Sequence, residues 1–508
     1  MFSTITSAAI LGMDVVLVHV EVDIAQGLPG FMLVGYLSSE VREAGERVRV
    51  ALKNAGITLP AMRITVNLSP ANIKKEGTAY DLPIAAGILE ALGHIPRGST
   101  EGMMIAGELG LNGGINPVRG VLPLVRKAKE EGYRRCLLPK ENYKEGMLID
   151  GIEIIGMPGL KESIEYLKCG KKYIWEEETA KEEKGEGSLP DFSEIKGQAA
   201  AKRAAEIAAA GFHNLLLTGP PGSGKTMIAK RIPGILPPLT EQEELEVSSI
   251  YSIAGLLSNA CSLVKQRPFM DPHHTITAQA LVGGGKTVRP GIISLAHKGI
   301  LFLDELPEFK PNMINLLRQP LEEKKICIAR LGGNYIFPAD CMFVAAMNPC
   351  PCGYYPDIGR CSCTVQKIKR YQGRISGPVL DRIDLCAGVS RVSPTQLSWA
   401  TKEETSACIR NRVMQARRMQ DERYAGKDYK YNALMPQPDL KSYCMLGKKE
   451  ERMMEKAFLS MQLSARGYYR ILKVARTIAD LDGSEKIGEI HLEEALECRI
   501  GGEKHWEI

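Results

Sequence analysis

The octet GPPGSGKT (Gly219–Thr226) constrains the fold more than any other stretch of the chain. It follows the apolar run Leu215–Leu217 and precedes MIAKRI, so it reads as a strand, a tight turn and the start of a helix. Gly219, Gly222 and Gly224 let the backbone bend until successive N–H groups face one point, and Pro220, Pro221 and Ser223 complete the loop. With a helix N-terminus behind it, such a turn cradles phosphate oxygens. Lys225 is expected to reach the β- and γ-phosphates of ATP, and Thr226 to bind Mg²⁺.

Two further runs suit the same parallel sheet. GILFLDE (Gly299–Glu305) is a short apolar strand that delivers two carboxylates at its end. Asp304 is expected to hold the Mg²⁺ water shell and Glu305 to polarise the attacking water. CMFVAAMN ends in Asn348, whose carboxamide can orient that water against the γ-phosphate. SGPVLDRIDL places Arg382 in a polar break. Within one subunit this arginine has no evident target; in a ring it can reach a neighbour's γ-phosphate as an arginine finger, with Arg374 as the rival. Arg466, at the start of a helix, is expected to contact phosphate inside its own subunit, with Arg470 as the alternative.

At 508 residues the chain exceeds one hydrophobic core, and two or three domains are expected. CGKKYIWEEETAKEEKGEGSLP is charged, Gly-punctuated and without apolar period, so residues 170–190 read as a linker. Before it, residues 1–169 read as an α+β domain. Val16, Val18, Val20, Val22 and Ile24 alternate as one face of a strand, as do Ile64, Val66 and Leu68. DLPIAAGILEAL starts a helix with Asp81 as its cap, and LPLVRKAKEEG is a helix closed by Gly132. After the linker, 191–392 carries the phosphate-loop core and 393–508 is helical, with Ser464 capping and Gly483 stopping one long helix. The N-terminal segment lacks a basic region ahead of its apolar residues, and no run approaches the length of a membrane span; a cytoplasmic protein without membrane contact is expected. The net charge of +5 permits a nucleic-acid partner without arguing for one.

The segments DFSEIKGQAAAKRAAEIAAAGFHNLLLTGPPGSGKT, PHHTITAQALVGGG, RPGIISLAHKGILFLDELPEF, LRQPLEE, AAMNPCPCG and RISGPVLDRIDL resemble the magnesium-chelatase-like AAA+ proteins of the YifB/ComM family. The resemblance runs nearly end to end. It implies an α/β AAA+ P-loop NTPase core with a C-terminal helical lid, and a homo-oligomer, expected to be a hexameric ring. It also implies a DNA helicase driving branch migration in recombination or transformation, acting on branched or single-stranded DNA with recombination proteins as partners. The alternative reading is a chelatase-like or chaperone-like ATPase that remodels a protein partner.

The resemblance extends to residues 1–169, which are similar to the Lon protease catalytic domain, a ribosomal-protein-S5-like α+β fold. Lon-type proteolysis needs a serine activated by a lysine. Ala79 falls where the serine would sit and Leu122 where the lysine would, so protease activity is not expected. Thr78 is the nearest hydroxyl. The domain then serves as a scaffold, contributing to ring assembly and DNA contact or simply stabilising the ring.

Four of the thirteen cysteines crowd into NPCPCGYYPDIGRCSC. Cys350 and Cys352 pair across one residue, as do Cys361 and Cys363, with a turn-rich loop between the pairs. Four thiolates can surround Zn²⁺, which is the expectation; an iron–sulfur cluster or four free thiols are the alternatives. Lys367, Lys369 and Arg370 follow, as DNA contacts or a solvated basic run. Two inserts are expected to line a pore. LVGGGKTVRPG reads as a flexible loop carrying Lys286 and Arg289. EEKKICIARLGGNYIFPAD reads as a β-hairpin with Lys324, Lys325 and Arg330 near its strands and Gly332–Gly333 at its turn. In a six-fold ring each such cation recurs six times along the axis. His273 and His274 match the family pattern without an assigned role.

Overall fold

A computed structural model of the protein describes residues 1–171, 173, 189–257, 263–330, 332–357, 359–391 and 403–503. Most of the expected linker, residue 172 and residues 174–188, lies outside the described residues, as does the expected core–lid boundary within 392–402.

The N-terminal region is built on a seven-stranded mixed sheet, in the order Gly30–Val34, Arg63–Ser69, Asp14–Ala25, Phe2–Leu11, Met103–Ile105, Arg135–Pro139, Glu153–Met157. The alternating valines do what their period requires: Val18, Val20, Val22 and Ile24 are all within 1 % of complete burial. Burying each such side chain contributes roughly 1.5–3 kcal/mol. Ile64, Val66 and Leu68 join them from the neighbouring antiparallel strand. Phe2–Leu11 is a central strand, paired antiparallel with Asp14–Ala25 through a tight turn at Gly12. One expected detail is corrected here. Asp81 opens the helix Asp81–Ala91 but does not cap it, because its fully buried carboxylate is engaged by the Arg47 guanidinium at 2.7 and 2.9 Å.

The second sheet has five strands, all parallel, in the order Phe269–Met270, Ile300–Leu303, Met342–Met347, Leu215–Thr218, Leu385–Gly388. Its three inner strands are wholly buried, which explains why they read as continuous apolar runs. The phosphate-loop strand lies between the strand Met342–Met347, which Asn348 follows, and the strand after Arg382. Its C-terminal edge therefore collects the loop, the acidic pair and the carboxamide at one end of the sheet. The C-terminal helices Ser406–Arg423, Ala465–Leu481 and Glu489–Glu503 pack against the helix Ala199–Gly211 and the last strand. Ser464 caps as expected, accepting the Gly467 N–H at 3.1 Å, and Gly483 follows the helix end with φ +69°.

The two regions touch through particular groups. The helix Glu241–Ala254 of the second region begins on a reciprocal cap between Thr240 and Glu243. Near its far end the Ser252 hydroxyl donates to Glu145 at 2.5 Å, and the Gly120 N–H donates to the Ser252 carbonyl at 3.1 Å. At a second contact the Gly12 turn lies against the strand Gly333–Pro338, with the Met13 N–H donating to the Ile336 carbonyl at 3.1 Å.

Candidate nucleotide site and cysteine cluster

The sequence-predicted phosphate cradle is assembled. Leu215–Thr218 runs into the loop, and Lys225 is the first residue of the helix Lys225–Arg231. Gly222 and Gly224 adopt φ +73° and +97°, which glycine tolerates and larger residues rarely do. At Gly219 the reason for glycine is space, since a Cβ there would stand 2.2 Å from the Val389 carbonyl oxygen. Gln198 steadies the loop from outside, donating to the Ser223 and Ser390 carbonyls at 3.3 and 2.5 Å. No motif singled it out beforehand.

Pro221, Gly222, Ser223, Gly224, Lys225, Thr226, Asp304, Glu305 and Asn348 line one cavity of roughly 330 Å³, with Met227 and Met347. Lys225 Nζ is held by three oxygens: the Gly219 carbonyl at 2.8 Å, the Pro220 carbonyl at 3.0 Å and Asn348 Oδ1 at 3.0 Å. Burial lowers its pKa while Asp304 and Glu305 pull the other way. The Thr226 hydroxyl donates to Asp304 Oδ2 at 2.5 Å, bringing together the two groups expected at Mg²⁺. The Ser223 hydroxyl is buried without a hydrogen-bond partner among the described residues, so the cradle has an unused donor for an anion. Glu305 sits at φ +51°, a left-handed conformation that costs a non-glycine residue about 1–2 kcal/mol and that marks functional positions. These residues fit a magnesium nucleotide: a carboxylate and a hydroxyl for the metal, backbone donors and a lysine for phosphate.

Arg382 and Arg466 are elsewhere. They share a separate cavity of roughly 240 Å³ with Glu322, Lys324, Asp384, Arg470 and Lys473, and none of its lining residues lines the phosphate cavity. The expectation that Arg466 reaches phosphate within its own subunit is therefore corrected. The cavity of Arg466 includes Asn214 and Asp384, which directly precede two parallel strands, whereas the phosphate loop leaves the C-terminal end of one of them; the Arg466 guanidinium stands 3.5 Å from Glu322. Its alternative, Arg470, pairs with Asp384 at 3.3 Å in the same cavity. Burial pushes the Asp384 carboxyl up, but His213, Arg470 and the Asn214 amide outweigh it and hold the group well below the usual range. Arg374, the rival finger, is bound at 3.1 Å to both the Pro307 carbonyl and Glu308. Glu322, which joins Arg382 to Arg466, escaped the motif reading; the only sign of it was its place in LRQPLEE.

The four cysteines converge. Sγ of Cys350 lies 3.3 Å from that of Cys352 and 3.8 Å from that of Cys361; Cys352 and Cys361 are 3.6 Å apart. All four sulfurs, Cys363 included, fall within 4.8 Å of one another, and among the described residues no other His/Cys/Asp/Glu group is as compact. Tetrahedral Zn–S bonds of about 2.3 Å imply sulfur separations of about 3.8 Å, so the set fits one ion. A multi-iron cluster places its thiolates on different irons, farther apart. The cysteine loop also abuts the phosphate loop: a Cβ on Gly353 would lie 2.4 Å from Pro221 Cδ. The rings of His273 and His274 lie 4.0 Å apart between centroids, tilted by 37°, and among the described residues belong to no such group.

The expected DNA-facing cations divide. LVGGGKTVRPG is not a plain loop, since Gly283–Gly284 pairs antiparallel with Arg289–Pro290 to form a small hairpin. The larger hairpin, Lys325–Arg330 with Gly333–Pro338, turns where expected. Arg330 reaches over the small hairpin, its Nη2 being 3.4 Å from where a Gly284 Cβ would stand. Lys286, Arg289, Lys325 and Arg330 are exposed. Lys324 is corrected: it lies at the hairpin base, 3.7 Å from Asp340 and part of the arginine cavity, because it ends the preceding helix. Lys367, Lys369 and Arg370 are exposed on the helix Val365–Gln372. No helix among the described residues is long and apolar enough to cross a membrane.

Comparison with known proteins accords with this arrangement. Residues 191–397 match the family model described as magnesium chelatase, subunit ChlI. Residues 20–142 match that of subunit ChlI of Mg-chelatase, and 403–499 that of the ChlI C-terminal region. The chain is 43 % identical to competence protein ComM of Haemophilus influenzae, covering 97 % of this chain and 96 % of that protein. It is 40 % identical to the uncharacterized protein YifB of Escherichia coli, covering 98 % and 97 %. Over 121 residues it is 34 % identical to Lon protease 2 of Bacillus subtilis, covering 24 % of this chain and 21 % of that one.

Proposed function

The chain belongs to the ComM/YifB family of magnesium-chelatase-like AAA+ ATPases, and from that premise we propose that it is an ATP-hydrolysing ring motor that remodels DNA. A helicase driving branch migration in recombination or transformation is the specific form we favour, with a hexamer as the working unit. The observation that carries the reading is the separation of the two cavities. One subunit holds Lys225, Thr226, Asp304, Glu305 and Asn348 at one cavity and Arg382 and Arg466 at another. Arginines kept apart from their own phosphate site suit delivery to a neighbour's.

In this reading Lys225 and the Ser223–Thr226 backbone bind the phosphates, and Thr226 and Asp304 hold Mg²⁺. Glu305 polarises the water that Asn348 orients. Arg382 and Arg466 neutralise charge on the γ-phosphate across the seam. Lys286, Arg289, Lys325 and Arg330 face DNA in the pore. The cysteine set holds Zn²⁺ as a structural ion, fixing the loop that abuts Pro221 and follows Asn348. The division into residues 1–169, 191–392 and 393–508 belongs to the same proposal. The three matched segments support it, as does the name of the Haemophilus protein for the process served.

The test is ATP turnover across protein concentration, with and without forked or Holliday-junction DNA, for wild type and Arg382→Ala. Turnover is expected to rise with assembly and with DNA, and to fall about a thousandfold in the variant. Turnover indifferent to dilution and to loss of Arg382 overturns the ring reading. Because all three family models are named for a chelatase subunit, a second reading is kept: an ATPase that remodels a protein. Stimulation by a protein partner and none by DNA selects it.

A further inference from the structure

Arg382 and Arg466 come from different elements and converge on one carboxylate. Arg382 Nη2 donates to Glu322 Oε2, and Arg466 Nη2 stands 3.5 Å from Glu322 Oε1. Each carboxylate oxygen thus serves one guanidinium. The other partners of Arg382 are the Arg318 and Pro378 carbonyls, which carry no net charge. The second carboxylate of the cavity, Asp384, is already taken by the Asn214 N–H at 2.9 Å and by Arg470. Lys324 and Lys473 add positive charge to the same walls. Among the lining residues, Glu322 is therefore the counterion for both arginines.

Its position in the chain is the second observation. Glu322 lies in the last turn of the helix Arg318–Glu323, and the large hairpin begins at Lys325. Between them stands Lys324 at φ +56°, a left-handed backbone that a lysine adopts at a cost of about 1–2 kcal/mol. The hairpin base is pinned at Asp340 by Lys298 at 2.9 Å and Lys324 at 3.7 Å. The return strand carries Ile336, which holds the Gly12 turn of the N-terminal sheet. A displacement of Glu322 thus has a short, strained link to the hairpin and, through it, to the other domain.

We propose that Glu322 is a positioning residue that holds, in the free subunit, the place taken at the ring seam by the terminal phosphate of a neighbour's nucleotide, and that its displacement reports nucleotide occupancy to the hairpin Lys325–Pro338. The inference rests on the ring reading above. A terminal phosphate offers three oxygens and more negative charge than one carboxylate, so it outcompetes Glu322 for two guanidiniums. The carboxylate cannot stay beside it without like-charge repulsion and must swing away, taking the end of its helix with it.

Glu322→Gln, which keeps the shape and removes the charge, tests this without DNA. Two quantities are read on assembled protein: basal ATP turnover, and backbone amide exchange of residues 325–338 with and without a non-hydrolysable ATP analogue. In wild type the analogue is expected to change hairpin exchange several-fold. In Glu322→Gln the hairpin is expected to exchange alike in both conditions, and basal turnover to rise several-fold because the arginines are no longer held. A hairpin in Glu322→Gln that responds to the analogue as the wild type does overturns the proposal, as does a wild-type hairpin that does not respond. So does turnover that is unchanged, or lost while the analogue still binds, since either removes Glu322 from the counterion role. Arg382→Ala run in parallel separates the two failures. If it turns over like wild type, the seam reading falls and this inference with it. If it is inactive while Glu322→Gln matches wild type throughout, only this inference falls.

Discussion

The nucleotide cavity and the N-terminal domain both lie in segments similar to known proteins, a magnesium-chelatase subunit and a Lon protease, and differ in the groups they bring together. The cavity kept backbone and chemistry together: two glycines at positive φ, an ammonium on three oxygens, a hydroxyl on a carboxylate, and Glu305 in a strained conformation beside them. The N-terminal domain is 34 % identical to Lon protease 2 of Bacillus subtilis over 121 residues, and the sequence reading expects Ala79 and Leu122 where that protease's nucleophile and base would stand. Two polar groups beside Ala79 are tied to neighbours: Thr78 donates to Glu108, and Asp81 is held by Arg47. Leu122 is fully buried, its N–H donating to Glu145 at 3.1 Å where the ATPase helix docks. A fold and its chemistry are separable, and here the N-terminal domain meets the helix Glu241–Ala254 through Glu145 and Gly120.

Glu305 is the residue whose loss should cost the nucleotide cavity most. Glu305→Gln should bind ATP and assemble, yet turn over at least about a hundredfold more slowly, because a carboxamide cannot polarise the water. Turnover within a few-fold of wild type would remove Glu305 from that role and leave the cavity as empty of chemistry as the other domain. Steady-state hydrolysis beside nucleotide-binding affinity checks it.

Metal removal comes next in size. Stripping the cysteine set with a chelator, or substituting Cys350→Ser with Cys361→Ser, should take metal content from one Zn²⁺ per chain to none. Turnover should fall about tenfold, the usual effect of disturbing groups that orient a site from behind. The cysteine loop touches the phosphate loop at Pro221 and follows Asn348, so the loss should appear in the rate more than in folding. Metal analysis showing no metal in the purified protein, with full activity, returns the cluster to four free thiols.

The sequence was most legible where chemistry is local. The octet, the acidic pair and the cysteine pairs are each contiguous, so spacing predicts geometry, and the structure brings each together as expected. Legibility ended where a residue's role depends on which side of the core a distant helix packs. The sequence suggests phosphate contact within the subunit for Arg466, but a helix start can face either way, and 1.5 Å per residue of helix says nothing about its docking. Asp before an apolar run usually caps a helix, yet at Asp81 a distant Arg47 holds the carboxylate instead. The sequence neighbours of Lys324 suggest a pore cation, whereas Asp340 across the hairpin base claims it. Glu322 has meaning only through two arginines about 60 and 144 residues away, a pairing beyond any periodic signal.

A smaller effect is expected where the two domains meet. Gly12→Val puts a side chain at φ +69°, with its Cβ 2.7 Å from the Ile336 backbone N and O. The turn must shift, at about 1–3 kcal/mol. Hairpin amides should exchange faster while ATP turnover stays within about threefold. Unchanged exchange would mean that this contact does not brace the hairpin.

The smallest effect belongs to Thr78, the aliphatic hydroxyl next to Ala79, where a Lon-like nucleophile is expected. Its proton faces Glu108, and a carboxylate is a weak base for an alcohol, so the pair lacks the driving force that a lysine supplies in the Lon dyad. Thr78→Val keeps the shape and deletes the hydroxyl. It leaves Glu108 one partner fewer, although Asn116 still donates to the other oxygen at 3.2 Å. ATP turnover should stay within about twofold and the melting temperature within a few degrees. Fluorogenic peptides should be cleaved by neither form above background. Cleavage by wild type that disappears in Thr78→Val would restore chemistry to the N-terminal domain and erase the contrast between the two regions.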